Sequence, residues 1–391
     1  MNYMNVKIKQ STWAILFAFS SLFVLGLTDN IRGPLFPEIL NYFNLSSVKG
    51  SWSFATTSMA AFMGTILSTY FLKKYSMSQL LWAGIVLMFI GMFAMGSAKS
   101  FNFFIFGSSI IGLSIGFLAV AQNLLVTESI SDEYKSRALS GLHAMYGLAS
   151  FLAPLLAAAA TAQTGSWRTA FFAIALICFL YALIQLAIKS DPVFFVSSAV
   201  ITKKTDTVGS ETKIPMKSLL LIGGLFAFYV TAEIMIGTRL AQYMRNYYSM
   251  NLLESSRYVT YFFLFLLAGR LFFAFKKINI PVKIQMNISL VLSIILLIAG
   301  LNSHPIVLTI VGLTMAPFYP LSVAYISEVT GRNVRQFLTY AMGLQSLAVV
   351  SMHLGVGYLT DMLGLFYAFG VGIFALVLSL ICLNLHPKKL F

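Results

Sequence analysis

The chain has 391 residues, of which 59% are hydrophobic and only 10% charged, with a formal net charge of +14. Soluble domains carry about a quarter of their residues as charges, so a soluble enzyme or scaffold is excluded. The two cysteines, Cys178 and Cys382, both lie in apolar runs and supply neither a disulfide framework nor a zinc site.

Apolar runs of about 20 residues, each long enough to cross a hydrocarbon core, recur from end to end. They predict an all-α membrane protein with twelve spans near 13–36, 50–71, 79–97, 102–127, 138–160, 167–188, 218–244, 256–275, 284–301, 305–326, 336–359 and 364–385. Lys7 and Lys9 precede the first run, and no small-residue cleavage site closes it, so no cleavable signal peptide is expected. With the N-terminus inside, 18 of the 26 Lys and Arg fall in cytoplasmic segments, among them Lys73, Lys74, Lys135, Arg137, Lys276, Lys277 and Arg335. That bias predicts both termini inside and explains the positive charge as a topology signal, with no nucleic acid as partner.

Span one carries Leu27-Thr28-Asp29-Asn30-Ile31-Arg32-Gly33-Pro34-Leu35-Phe36-Pro37-Glu38. A charge inside a span costs at least a few kcal/mol and faces a protein interior or a wet cavity. The prolines and the glycine loosen the helix there. Between spans six and seven, residues 189–217 are rich in Ser, Thr and Lys and read as a cytoplasmic linker; within it, Val193-Phe194-Phe195-Val196 is too short to cross. The domains expected are therefore an N-terminal six-helix bundle at 1–188, the linker, and a C-terminal six-helix bundle at 218–391.

The halves repeat. Asp29 and Gly33 match Glu233 and Gly237 at one offset, Gly64 matches Gly269 after a one-residue slip, and Lys73-Lys74 matches Lys276-Lys277. Thr127-Glu128 with Arg137 then parallels Ser327-Glu328 with Arg335. Two parallel six-span halves with a substrate site near mid-membrane is the plan of major facilitator transporters.

The residues also resemble one branch of that superfamily, the fucose–galactose–proton symporters. Gly141-Leu142-His143-Ala144-Met145-Tyr146-Gly147-Leu148-Ala149-Ser150 followed by Ala153-Pro154 is similar to the branch's fifth span. Tyr229 through Thr238, with Glu233 and Gly237, is similar to its seventh, and Asn123 with Val126-Thr127 to its fourth. Phe318-Tyr319-Pro320 loosely matches its tenth. The resemblance implies a proton-coupled sugar carrier working by alternating access. Two acids of that branch are missing here: Ala119 and Gly33 stand at their positions.

Asp29, one helical turn from Gly33, is the first candidate for proton coupling, and Glu233 the second. The alternative for Asp29 is an ion pair with Arg32 on its own helix; for Glu233 it is a tie between spans seven and eleven. Candidates for solute contact are Asn30, Arg32, Gln122, Asn123, His143, Tyr146, Arg239, Gln242, Tyr319 and Gln345, polar groups on cavity-lining spans that equally serve to tie helices together. Arg32 and Arg239, at comparable depth in symmetry-related spans, resemble the clamp of organophosphate antiporters, since guanidinium grips phosphate or carboxylate bidentately; alternatively each neutralises a nearby acid. Glu128 with Arg137 and Glu328 with Arg335 are candidates for an inner gate. Gly64, Gly112, Gly116, Gly147 and Gly355 read as close-packing sites.

No nucleophile triad, metal cluster or nucleotide loop is visible, so neither an enzyme nor a cofactor is expected. The reading is a secondary active transporter in the bacterial inner membrane, a monomer that moves a small polar, sugar-like solute together with a proton or a sodium ion. Carriage of an organic anion by Arg32 and Arg239 is the first alternative and efflux of a hydrophobic compound the second.

Overall fold

The computed structural model describes residues 2–130, 132–188, 216–276, 278–330 and 334–386. The linker up to residue 215, including Val193–Val196, lies outside them, as do Lys277 and the side chains of Ser327 and Arg335.

The described residues form fifteen helices: α1 (Asn2–Asn30), α2 (Arg32–Phe43), α3 (Ser47–Phe71), α4 (Met77–Ser97), α5 (Phe101–Ser129), α6 (Asp132–Thr164), α7 (Arg168–Ile188), α8 (Met216–Tyr248), α9 (Leu252–Phe275), α10 (Val282–Asn302), α11 (Ile306–Met315), α12 (Phe318–Thr330), α13 (Val334–Leu363), α14 (Leu365–Ala368) and α15 (Gly370–Leu385). Among the described residues, eleven stretches are long and apolar enough to cross a membrane. The segment from Ser47 to Phe71 is a full-length helix but is not among them; its many Ser and Thr residues dilute its hydropathy, and with it the expected twelve are accounted for.

Span one is two helices. Pro34 has no N–H to offer the Asn30 carbonyl, and the helix is interrupted at Ile31, whose dihedrals stay helical (φ −71°, ψ −26°). The expected loosening is thus a one-residue break that assigns Asp29 to α1 and Arg32 to α2. Span ten breaks likewise between α11 and α12, at Ala316-Pro317. Elsewhere the ends are sealed by side chains. Ser76 and Gln79 form a reciprocal capping box at the start of α4 (3.2 and 2.9 Å), and Asn251 and Glu254 form one at α9 (both 2.9 Å). Asn44 closes α2 in the left-handed conformation (φ 52°).

Packing divides the chain into two units. The first gathers α1 up to Asp29, α3 from Thr56, α4, α5, α6 up to Ala153 and from Ala160, and α7. Backbone and small side chains meet closely in it: Ser114 donates to the Gly84 carbonyl (2.7 Å), Thr57 to that of Ser108 (3.1 Å), and Gln185 to that of Ser78 (3.0 Å). Arg168 binds the Gly96 and Ala98 carbonyls at the end of α4 (2.5 and 2.6 Å), where cations suit the helix dipole. A Cβ on Gly26 would meet Ala149 and the Tyr146 carbonyl at 2.7 and 3.1 Å, so only glycine lets α1 approach α6 there. Gly64, Gly112 and Gly116 are equally crowded between α3 and α5; Gly355 has open space where its Cβ would lie and is not a packing site. Leu176, Phe179, Leu180 and Leu183 on α7 remain exposed, as a lipid-facing surface requires.

The second unit holds α2, α3 up to Ala55, the Pro154–Ala159 turn of α6, and α8 to α15. Phe36, Leu40 and Phe54 form one small core with Leu45, and Ile222, Ile326 and Phe337 another.

Candidate substrate and coupling sites

In the first unit the best-defined polar contact joins α6 to α1. The Tyr146 hydroxyl donates to Asp29 Oδ2 at 2.7 Å, and both residues are half-buried. Gln122 is buried against α1: its amide meets Ser21 Oγ at 3.0 Å, and with the oxygen facing α1 it accepts from Ser21 and from the Leu22 N–H (3.1 Å) while donating to the Leu118 carbonyl (3.3 Å). Asn123 turns back on its own helix, donating to the Ala119 carbonyl (2.7 Å). His143 is exposed on α6. Of the candidates here, the fold brings Tyr146 to Asp29, whereas Gln122 and Asn123 spend their amides within the helical framework.

In the second unit two charges on α8 have opposite surroundings. Glu233 is not tied to span eleven; its carboxylate accepts from Arg270 Nη2 on α9 (2.9 and 3.2 Å) and from the Tyr229 hydroxyl (2.7 Å). Tyr229 also reaches the Met315 carbonyl (2.7 Å) and stacks on Phe318 (4.2 Å between centroids), which anchors the acid to α11 and α12. Tyr319 is half-buried beside it with its ring against Phe226 (5.1 Å). Gln345 is half-buried on α13.

Arg239 is fully buried and forms no ion pair among the described residues. Its Nη2 donates to Ser51 Oγ (2.6 Å) and, at long range, to the His353 carbonyl (3.5 Å); Nη1 reaches Gln242 Oε1 at 3.4 Å. Its Nε has no acceptor. The guanidinium lies over the rings of Phe36 (4.4 Å) and Phe54 (5.4 Å), within the range of cation–π attraction. Arg32 lies 5.3 Å from the same Phe54 ring, and His353 stacks on it at 5.0 Å. The two arginines are thus brought to one aromatic ring, and Arg239 makes no ion pair among the described residues, although the charge of Asp361 on span eleven reaches it.

Above this cluster, Gln242 donates to Ser47 Oγ (3.1 Å). Arg245 pairs with Glu38. Asp361 of α13 accepts from the backbone N–H groups of Ser47 and Val48 (both 2.8 Å), supplying α3 with the carboxylate cap that its own sequence lacks. A cavity of about 510 Å³ opens here, lined among others by Pro37, Asn41, Ser47, Gln242, Arg245 and Asp361. Gly33 makes the seam possible: a Cβ there would sit 2.9 Å from the Gly237 carbonyl and 3.1 Å from Thr238 Cα.

The gate candidates do not pair in the described residues: Glu128, Arg137 and Glu328 are exposed. Arg270, Arg245, Glu38 and Asp361 were not among the sequence candidates. For Arg270 a signal existed, since Glu233 stands 15 residues before the end of α8 and Arg270 18 residues after the start of α9, at matching depth in consecutive antiparallel helices.

These features define an integral membrane protein of the all-helical, polytopic class. The family model described as Major Facilitator Superfamily matches residues 18–197, a little under half of the chain, and over that stretch the chain is similar to that superfamily. It is 28% identical over 212 residues to the cis,cis-muconate transport protein of Acinetobacter baylyi (53% of this chain, 50% of that one). It is 22% identical over 169 residues to the arabinose-proton symporter of Escherichia coli (43% and 36%) and 26% identical over 147 to the human sodium-dependent glucose transporter 1 (38% and 28%). The chain thus spans half or less of these relatives' length. Over nearly its whole length it shares the fold of a D-xylose-proton symporter (TM-score 0.77, 12% identity, 96% of this chain and 97% of that one) and of a peptide transporter POT solved with sulfate (TM-score 0.76, 14% identity, 96% and 94%).

Proposed function

We propose that the protein is a secondary active transporter that moves a small polar solute across a bacterial inner membrane by alternating access, driven by protons. In this reading residues 1–188 and 218–391 are the two moving halves, both termini are cytoplasmic, and the monomer is the working unit. The observation that carries it is the Asp29–Tyr146 contact. A half-buried carboxylate just before a proline-loosened break, accepting a hydrogen bond from a phenolic hydroxyl, is placed to take up a proton. Ionisable groups within spans are functional by default, and Asp29 occupies the turn next to the acid position of the symporter branch. Glu233 has its counter-ion in Arg270 and serves packing in this reading. His143 and Tyr146 stand nearest to the solute in this reading, while Gln122 and Asn123 bond within the helical framework. The sugar-like chemistry expected from spans five and seven agrees with the arabinose-proton symporter among the relatives, while the muconate carrier among them moves an acid.

The test is uptake into proteoliposomes under an imposed proton gradient. Asp29→Asn abolishes gradient-driven accumulation and leaves part of solute exchange intact. Undiminished accumulation in the variant removes Asp29 as the coupling acid.

A further inference from the structure

Three residues of α8, Arg239, Gln242 and Arg245, recur at a spacing of three and so share one helix face. Arg245 and Gln242 line the 510 Å³ cavity, and Arg239 lies one turn deeper, fully buried. Between them stands a single polar layer, the Gln242–Ser47 hydrogen bond, with the Gln242 oxygen facing Arg239.

We propose that the transported solute carries a carboxylate and that Arg239 is the residue that receives it, reached from the Arg245 cavity past Gln242; this rests on the transport reading above and names the solute's charge. A buried cation without a counter-ion costs several kcal/mol of lost hydration. Arg270 and Arg245 answer that cost with Glu233 and Glu38. Arg239 does not: its partners are a serine hydroxyl, an amide, a backbone carbonyl and two rings, and its Nε is unpartnered. Asp361 reaches it with its charge but makes no ion pair with it. His353 is buried with an unpartnered Nδ1, stacked on the ring that Arg239 also faces. The two carboxylates at this end are committed, Asp361 to the start of α3 and Glu38 to Arg245.

A site in this state is complete when an anion enters it. A guanidinium that forms no ion pair among the described residues can take up one negative charge, and its planar fork fits the two oxygens of a carboxylate. Phe36 and Phe54 offer apolar walls to the carbon skeleton. Arg245, which exchanges Glu38 for the incoming acid, is the first cation met on the way in.

The experiment is thermal unfolding of the purified full chain with matched probes: gluconate against glucose, succinate against succinamide, and glucose 6-phosphate. A ligand of the folded state raises the melting temperature by mass action. The expected result is a dose-dependent rise with at least one carboxylate and none with its neutral partner, at an apparent affinity weakened about tenfold or more in Arg239→Gln, the loss expected for a charge-assisted pair. A neutral probe that matches its acid, a rise with the phosphate ester alone, an unchanged rise in Arg239→Gln, or silence of both carboxylates overturns the proposal. If the variant does not fold, the acid–neutral pairs on the native protein still decide. Counterflow of labelled glucose and labelled succinate in proteoliposomes separates the two readings. Glucose exchange without carboxylate binding removes the anion site and keeps the transporter, whereas carboxylate binding without counterflow of either probe keeps the site and removes the transporter.

Discussion

Glu233 and Arg239 lie six residues apart on one helix, and their surroundings could hardly differ more. Around Glu233 the protein has built a complete shell: a guanidinium from α9, a tyrosine hydroxyl from its own helix, and through that tyrosine a carbonyl of α11. Around Arg239 it has built an aromatic pocket with one short hydrogen bond. The first arrangement leaves little for a ligand to improve, so it holds helices together. The second leaves a charge with no ion pair among the described residues. Ionisable groups in spans are treated alike when read from sequence; their partners separate those that serve the fold from those that await something else.

The comparison yields different magnitudes for two substitutions that look alike on paper. Arg270→Met strands the Glu233 carboxylate and destabilises by about 3 kcal/mol, the low end for a broken buried pair, since both side chains keep some exposure. The double variant Arg270→Met with Glu233→Gln recovers most of that loss. Arg239→Met removes a buried charge together with its desolvation penalty, and its stability falls by less than about 1 kcal/mol. Melting temperatures of the three purified variants check this, and an Arg239→Met loss as large as that of Arg270→Met breaks the comparison.

How much of this was legible before the fold is instructive at particular residues. The twelve helices were, because apolar runs of span length have one use in a membrane, and so was the break after Asp29, because Pro34 withdraws a specific N–H. The polar seam was not. That Asp361 caps α3 depends on two backbone N–H groups more than 300 residues away, and no periodicity carries that information. Arg270 was legible in principle: counting from the α8–α9 connection brings it level with Glu233, a test that treating each span's charges singly does not make. Asn123, read as a solute contact, turns back on its own helix instead, since an amide inside a helix always has a carbonyl one turn away.

The isolation of Arg239 depends on Asp361 and Glu38 staying where they are, and loosening each in turn sharpens the contrast. Asp361→Asn keeps the size of the cap and removes its charge, which costs the α3 contact about 1 kcal/mol. In a Ser53→Cys background, where the reporter position is buried, a water-soluble thiol reagent should then react about fivefold faster, the opening ratio that such a difference corresponds to. An unchanged rate shows that the seam is held by packing around Gly33 and by the Phe36–Phe54 core. Glu38→Gln has the smallest effect, below about 1 kcal/mol, because the amide oxygen can still accept from Arg245, which lines the cavity. Its value lies in direction. If Arg245 is the first cation met by an acid solute, Glu38→Gln removes that solute's competitor, so carboxylate binding tightens while the melting temperature without ligand barely moves. If Arg245 only staples α8 to α2, the variant loses stability slightly and gains no affinity, and the isolated arginine below it is left without a route for its counter-ion from this cavity.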